Sequence, residues 1–316
     1  MYDRQKEIYF MSIIIHAISY EHVDELAALI ARLNREKQHH VGFCGNQAGE
    51  IASTLREDFS DLDLESSFVI ACENERIVGA LGFDVDLERG VAEVWGPFID
   101  QDSKWNEIAN QLWETGMNQL GGKAPTFYCF YNEENKRALQ FTVAVQAEFL
   151  HTHLVLKCSR IAFSYAPVQT TLQEITPEYV KAFIGLHDAS FPNTYYNGQE
   201  IISRLQDDHR IIIAVDINES LLGYVYVEAD LEAQEGNIEF IAVSPQAQGQ
   251  GLGTSLMQEA LRFLLIEKEI DEISLCVQEE NDKAISLYQK AGFQQEHRLL
   301  LYKATWQGES QMARLR

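Results

Sequence analysis

From Phe68 the chain reads FVIACENERIVGALGFDVDLERGVAEVWGPFID: an apolar run, a short polar turn, a second apolar run, a second polar turn, and a third run that opens with G-x-x-E. Short apolar runs bounded by polar turns predict strands, here two joined by a tight turn and a third following. Residues 211–246, IIIAVDINESLLGYVYVEADLEAQEGNIEFIAVSPQ, repeat that order with small differences in the loops. Elsewhere the period lengthens. Residues 23–33 are patterned as a helix, and Leu252, Leu256, Ala260, Phe263 and Leu264 fall on one face at helical spacing. Each half therefore predicts a strand, one or two helices, three strands, a helix, a strand, a helix and a final strand pair. The fold class is α/β, more closely an α+β mixed sheet with helices on its faces.

The two halves form a duplication. The repeat places Gly90 over Gly236, Glu93 over Glu239 and Pro97 over Val243. Its flanks agree as well: residues 13–18 and the helix after them mirror 171–175, where Thr176 is a plausible N-cap and Pro177 a first helical position. Near the two ends, HTHLVLK at 151–157 mirrors HRLLLYK at 297–303. A chain of 316 residues suits two cores of about 150 residues each. The joint falls at 164–168, where Pro167 interrupts the patterning, so domains of 1–164 and 165–316 are expected.

Charge narrows the partners. A formal net charge of -23 disfavours nucleic acid and anionic membrane surfaces, and makes a cationic small molecule the more natural guest. The acidity also serves solubility alone. Five cysteines, Cys44, Cys72, Cys129, Cys158 and Cys276, are odd in number, widely spaced and lack a C-x-x-C pair, which fits a reducing compartment. No run approaches the roughly 18 apolar residues of a membrane span, and the first ten residues are charged, with Met11 an alternative start. A cytoplasmic protein is expected, as monomer or homodimer, with no metal.

Chemistry concentrates after the strand 237–243. Ser244-Pro245-Gln246-Ala247-Gln248-Gly249-Gln250-Gly251-Leu252-Gly253 opens the amphipathic helix. Glycines at such a place let the backbone turn sharply and gather N–H groups at a helix N-terminus, which favours a phosphate. A P-loop would need Lys followed by Ser or Thr after the glycines, which is absent. A dinucleotide fingerprint needs G-x-G-x-x-G, whereas these glycines are spaced G-x-G-x-G. The Q-x-x-G-x-G of Gln248 to Gly253, with Val243-Ser244-Pro245 upstream, instead resembles the acetyl-CoA motif of the GNAT (GCN5-related N-acetyltransferase) superfamily. Downstream, Asn281-x-x-Ala284-x-x-x-Tyr288-x-x-x-Gly292-Phe293 resembles that family's Asn/Tyr helix and closing turn.

The resemblance covers residues 169–305 directly and 12–158 through the duplication, and implies two tandem acyl-CoA N-acyltransferase folds. In that family the fourth and fifth strands splay apart, with pantetheine between them. It implies backbone contacts to pantetheine from Ile241, Ala242 and Val243, a diphosphate cradle from Gln248, Gly249, Gln250, Gly251, Leu252, Gly253 and Thr254, and an Asn281 that reaches the pantetheine arm. The reaction would be direct transfer of acetyl from acetyl-CoA to a primary amine of a small molecule. Glu239 is the candidate base, because strict strand alternation puts it on one face with Ile241 and Val243. Tyr288 is the candidate acid for the departing thiolate, as the family commonly uses this tyrosine. Acceptor contacts are expected near the first helix of the half, at His187, Tyr195 and Tyr196. Two alternatives stay open: acetylation of a protein N-terminus or lysine, and a non-catalytic acyl-CoA-binding module.

The first half lacks the loop. Where glycines should stand it reads Phe98-Ile99-Asp100-Gln101-Asp102-Ser103-Lys104-Trp105, with two acids. A pyrophosphate would meet negative charge there, so this half is expected to keep the fold without binding CoA. The cluster His39-His40-Val41-Gly42-Phe43-Cys44-Gly45 is unusual. Adjacent histidines cannot easily face one ion, so a folded loop or a pocket lining is expected rather than a metal site. His151 and His153 share a strand face and read as structural.

Overall fold

The structure, a computed structural model, describes residues 13–57, 59–165, 171–192, 194, 196–231 and 234–306. It divides into two compact units, and the division is not one cut near residue 164. The first unit takes Met1–His153 together with His297–Arg316, and the second takes Leu154–Glu296.

In the first unit the order is β1 (Ile14–Ala17), α1 (Val23–Asn34), α2 (Ala48–Glu57), α3 (Leu64–Ser67), β2 (Phe68–Glu73), β3 (Arg76–Asp86), β4 (Val91–Ile99), α4 (Trp105–Leu120), β5 (Thr126–Asn132), α5 (Lys136–Ala144) and β6 (Glu148–Ser159). The strands β1 to β4 form an antiparallel meander, as the repeated runs and turns predict. Asn74 and Glu75 both take positive φ between β2 and β3, which gives the tight two-residue turn read from the sequence. After α4 the chain returns as β5, parallel to β4 over only three residue pairs, Val91 with Thr126 to Glu93 with Tyr128.

The second unit runs β7 (Leu172–Glu174), α6 (Val180–Ser190), α7 (Gly198–Ser203), β8 (His209–Val215), β9 (Leu221–Asp230), β10 (Glu235–Val243), α8 (Leu252–Leu261), β11 (Glu272–Gln278), α9 (Asp282–Ala291) and β12 (Gln294–Thr305). Its central strands are buried on both faces, which is why they read as continuous apolar runs rather than alternating ones. Ile212, Ala214, Val225 and Val227 pack with Leu256 and Ala260 of α8. Their neighbours Ile211, Ile213, Tyr224 and Tyr226 pack with Phe183 of α6. Gly251 caps α8, and Asn281 caps α9 by accepting from the Ala284 N–H at 3.2 Å.

One long strand closes each half where a pair was expected, and both change unit along their length. β6 belongs to the first unit through His153 and to the second from Leu154; β12 enters the first unit at His297. There Leu299–Thr305 pairs antiparallel with Asn132–Thr126 of β5. The two segments are the mirrored HTHLVLK and HRLLLYK, so the C-terminal copy completes the N-terminal sheet. A cut at 164 keeps each copy with its own half; the hydrogen bonds do otherwise.

Candidate functional site

In the second unit β10 is the end strand of the order β10-β9-β8-β7, and β11 lies beside β6 instead. The strands that correspond to β4 and β5 are thus not hydrogen-bonded to each other. Ser244 N–H donates to the Leu222 carbonyl at 2.8 Å. That bond fixes which backbone groups face β9: Ala242 points at its partner strand, whereas Ile241 and Val243 point to the open edge. Of the three expected pantetheine contacts, geometry therefore favours Ile241 and Val243 over Ala242. The side-chain amide of Gln248 reaches back to the Val243 carbonyl at 3.1 Å and ties the loop to the strand end.

The glycines divide their tasks. Gly249 and Gly251 take φ of 76° and 81°, which a side chain rarely adopts. At Gly253 a first side-chain carbon would stand 2.7 Å from Leu287 Cδ1, so its absence lets α9 seat against the start of α8. Ser255 N–H bonds to the Gly251 carbonyl. The N–H groups of Leu252, Gly253 and Thr254 thus form the first turn and have no partner within the helix. They open on a cavity of about 880 Å³. Ile241, Val243, Gln248, Gly249, Gly251, Leu252, Gly253 and Thr254 line it, and so do Ala247, Asp282, Lys283, Ser286, Leu287 and Lys290. Sequence reasoning missed the α9 contribution. Lys283, Ser286, Leu287 and Lys290 are spaced i, i+3, i+4, i+7, and that pattern beside the Asn281 motif was the available signal.

Several expected site residues do not line this cavity, and strand alternation alone does not place Glu239. The β10–β9 register slips between Ile238 and Phe240, so Glu239 occupies a β-bulge. Ile238, Ile241 and Val243 pack with the α8 core, Phe240 and Ala242 with the α6 core. The period of two is broken at this point, so alternation alone does not fix the face of Glu239, which is half-buried. Tyr288 is half-buried beside Phe293, and burial pushes its phenol above the usual range. Neither Glu239, Tyr288, Gln250 nor Asn281 is among the cavity-lining residues. His187 is 0% exposed. Its Nε2 donates to the Tyr196 carbonyl at 2.8 Å and its Nδ1 meets the Tyr224 hydroxyl at 2.5 Å. A ring so enclosed holds the Tyr196 segment rather than meeting an acceptor. Tyr196 itself stacks under the Arg204 guanidinium, 4.2 Å from the ring centroid. Tyr195 lies outside the described residues.

The same gap in the first unit is filled. Where β4 leaves β5, the segment around Val41 takes the vacated edge: Asn132 N–H donates to the His40 carbonyl at 3.1 Å, and Gly42 N–H to the Phe130 carbonyl at 2.7 Å. Tyr131 is bridged to Val41 on that side and paired with Leu300 of β12 on the other. Buried Asn34 organises the insert, donating to the carbonyls of Val41, Cys44 and Gly45 and accepting from the Val41 N–H. His40 stacks on His297, 3.9 Å between centroids. A side chain at Gly42 would collide with Phe130 and Leu299 at 2.5 and 2.6 Å. The unusual histidine-rich cluster is thus a folded loop. Asp100 and Asp102, at the place of the glycine loop, pair with Arg32 and Arg137.

The open strand edge and the glycine-capped helix both lie in the segment that matches a known family. Residues 172–293 match the acetyltransferase (GNAT) family. A mycothiol acetyltransferase of Salinispora tropica is 30% identical over 123 residues, 35% of this chain and 40% of that protein. One of Paenarthrobacter aurescens is 24% identical over 191 residues, 56% and 59% of the two chains. This chain thus spans well under two thirds of the length of these relatives. Among solved structures, a GCN5-related N-acetyltransferase from Sphaerobacter thermophilus superposes with TM-score 0.67 at 18% identity, over 93% of this chain and 95% of that one. A tandem GNAT protein from the clavulanic acid biosynthesis pathway gives 0.60 at 19%, over 93% and 98%. These two likenesses establish the tandem fold. No helix among the described residues is long and apolar enough to cross a membrane.

Proposed function

We propose that the second unit is an acetyl-CoA-dependent N-acetyltransferase acting on a primary amine of a small molecule. The observation that carries this reading is the open β10 edge running into the glycine loop and its cavity. Ile241 and Val243 offer pantetheine a strand edge, and the first-turn N–H groups of α8 receive the diphosphate, where the helix dipole favours anions. The fit rests on donors: several backbone N–H groups converge on a space whose α9 wall carries two lysines.

An amine protonated at neutral pH must lose its proton before it attacks the thioester carbonyl. Glu239, at the bulge, takes that proton. The nitrogen lone pair forms the C–N bond, the nitrogen then sheds its second proton to solvent, the tetrahedral centre collapses, and the C–S pair leaves as a thiolate. Tyr288 returns a proton to sulfur; a tyrosine phenol is protonated at neutral pH, the state a donor needs. The first unit binds no CoA, since its strand gap is occupied by residues 40–42 and it has no glycine loop. The relatives named mycothiol acetyltransferase support an amine on a small molecule as acceptor.

The test is a screen of small amines with acetyl-CoA, read as free thiol and followed by mass analysis of the product. Amine-dependent thiol release with N-acetylation is expected. Binding of acetyl-CoA without release for any amine would leave a non-catalytic module, and release only with peptides would move the acceptor to protein.

A further inference from the structure

The second unit contains nine lysines and arginines. Among the described residues six of them stand in ion pairs: Lys157, Arg160, Arg204, Arg210, Arg262 and Lys268. In so acidic a chain this is the expected fate of a cation. Lys181, Lys283 and Lys290 show no ion pair among the described residues, and the last two line the cavity at the start of α8. Both are on α9, seven residues apart, one on either side of Leu287, which seats against Gly253. Seven helical residues separate their backbone positions by about 10 Å along the axis, and both side chains line the cavity that the first turn of α8 also lines.

Coenzyme A carries more charge than that turn can take. Its diphosphate suits the N–H groups of α8, and a separate phosphomonoester on the 3′ carbon of its ribose carries nearly two further charges at neutral pH. A helix terminus offers about half a positive charge. We infer that Lys283 and Lys290 form the subsite for this 3′-phosphate and make the enzyme select coenzyme A over its dephosphorylated form. This rests on the reading of the cavity given above and adds the residues that discriminate. Each lysine is a compact charge on a flexible stem with three donors, suited to a phosphate approached from the side. Asp282 also lines the cavity and precedes both lysines in sequence, and the α9 wall keeps a net positive charge.

The experiment is calorimetric titration of the full chain with coenzyme A and with dephospho-coenzyme A, at two salt concentrations. The wild-type chain is expected to bind the dephosphorylated form at least about tenfold more weakly, the effect of one to two charge-assisted contacts. In the double variant Lys283→Gln, Lys290→Gln, the two ligands should bind within about twofold of each other, chiefly through loss of affinity for coenzyme A, with the salt dependence reduced. Lys181→Gln makes the same kind of charge change away from the cavity and should keep the full discrimination. Equal binding of both ligands by the wild type, or discrimination kept in the double variant, overturns the inference while the cofactor site stands. No heat from either ligand in the wild type overturns the site itself.

Discussion

Two copies of one strand order treat the same gap in opposite ways. In the first unit β4 and β5 part after three residue pairs, and residues 40–42 hydrogen-bond into the opening. In the second, β10 and β11 share no ladder, and the opening leads to a loop with two glycines at positive φ. The lesson is that the splay belongs to the fold and the ligand does not. Unpaired backbone must find a partner, and the first unit supplies one from its own chain. Glu93 and Glu239 stand at matching places. Glu93 lies in regular pairing opposite Asp84, whereas Glu239 sits in a bulge.

The contrast breaks most sharply on cofactor binding. Titration with acetyl-CoA should give one site per chain; two would mean that the filled gap still opens. Gly251→Val should weaken that site by about a thousandfold, from strain at φ 81° together with misaligned N–H donors. Next in size, Tyr288→Phe should lower turnover about a hundredfold with acetyl-CoA affinity nearly unchanged; turnover at the wild-type rate would remove Tyr288 from the reaction. Asn34→Ala should lower the stability of the first unit by about 2 kcal/mol, since it strands buried backbone groups. Denaturant unfolding measures this, and the stoichiometry should stay at one because no glycine loop lies behind the insert. A second site in that variant would show that residues 40–42 alone close the gap.

The smallest effect concerns Glu93. Burial, with Asp84 adding to it, holds its carboxyl above the ordinary range. A folded-state pKa that is raised favours the fold below the unfolded pKa, and that advantage is lost as pH rises through the folded value. Glu93→Gln, which cannot ionise, should therefore raise Tm slightly at pH 7, and the gain should vanish as pH falls below the carboxylate range. A gain that persisted in acid would assign the effect to packing.

Much of the site was legible because its parts are local. The positive φ of Gly249 and Gly251 and the apolar face of α8 follow from neighbours in sequence; Asn281, expected at the pantetheine arm, caps α9. Two placements depended on more than local pattern. The placement of Glu239 assumed a strand of period two, and one extra residue broke the period. His187 was expected at the acceptor side from its place near the first helix; in the fold its ring is bonded to Tyr224 and the Tyr196 carbonyl and is buried. Lys283 and Lys290 were overlooked because a helical face gains meaning only when something packs across from it.

By itself the sequence determined the duplication, the mixed α/β class, the strand-turn-strand units and the glycine loop, since each depends on periodicity or on conformations a few residues allow. Only the tertiary structure decided that β12 completes the sheet of the first unit, and that residues 40–42 fill one gap while the other stays open. The physical reason is common to both. HTHLVLK and HRLLLYK carry nearly the same alternation, so either can serve either sheet, and which hydrogen-bonding edge a segment occupies depends on partners far away in the chain.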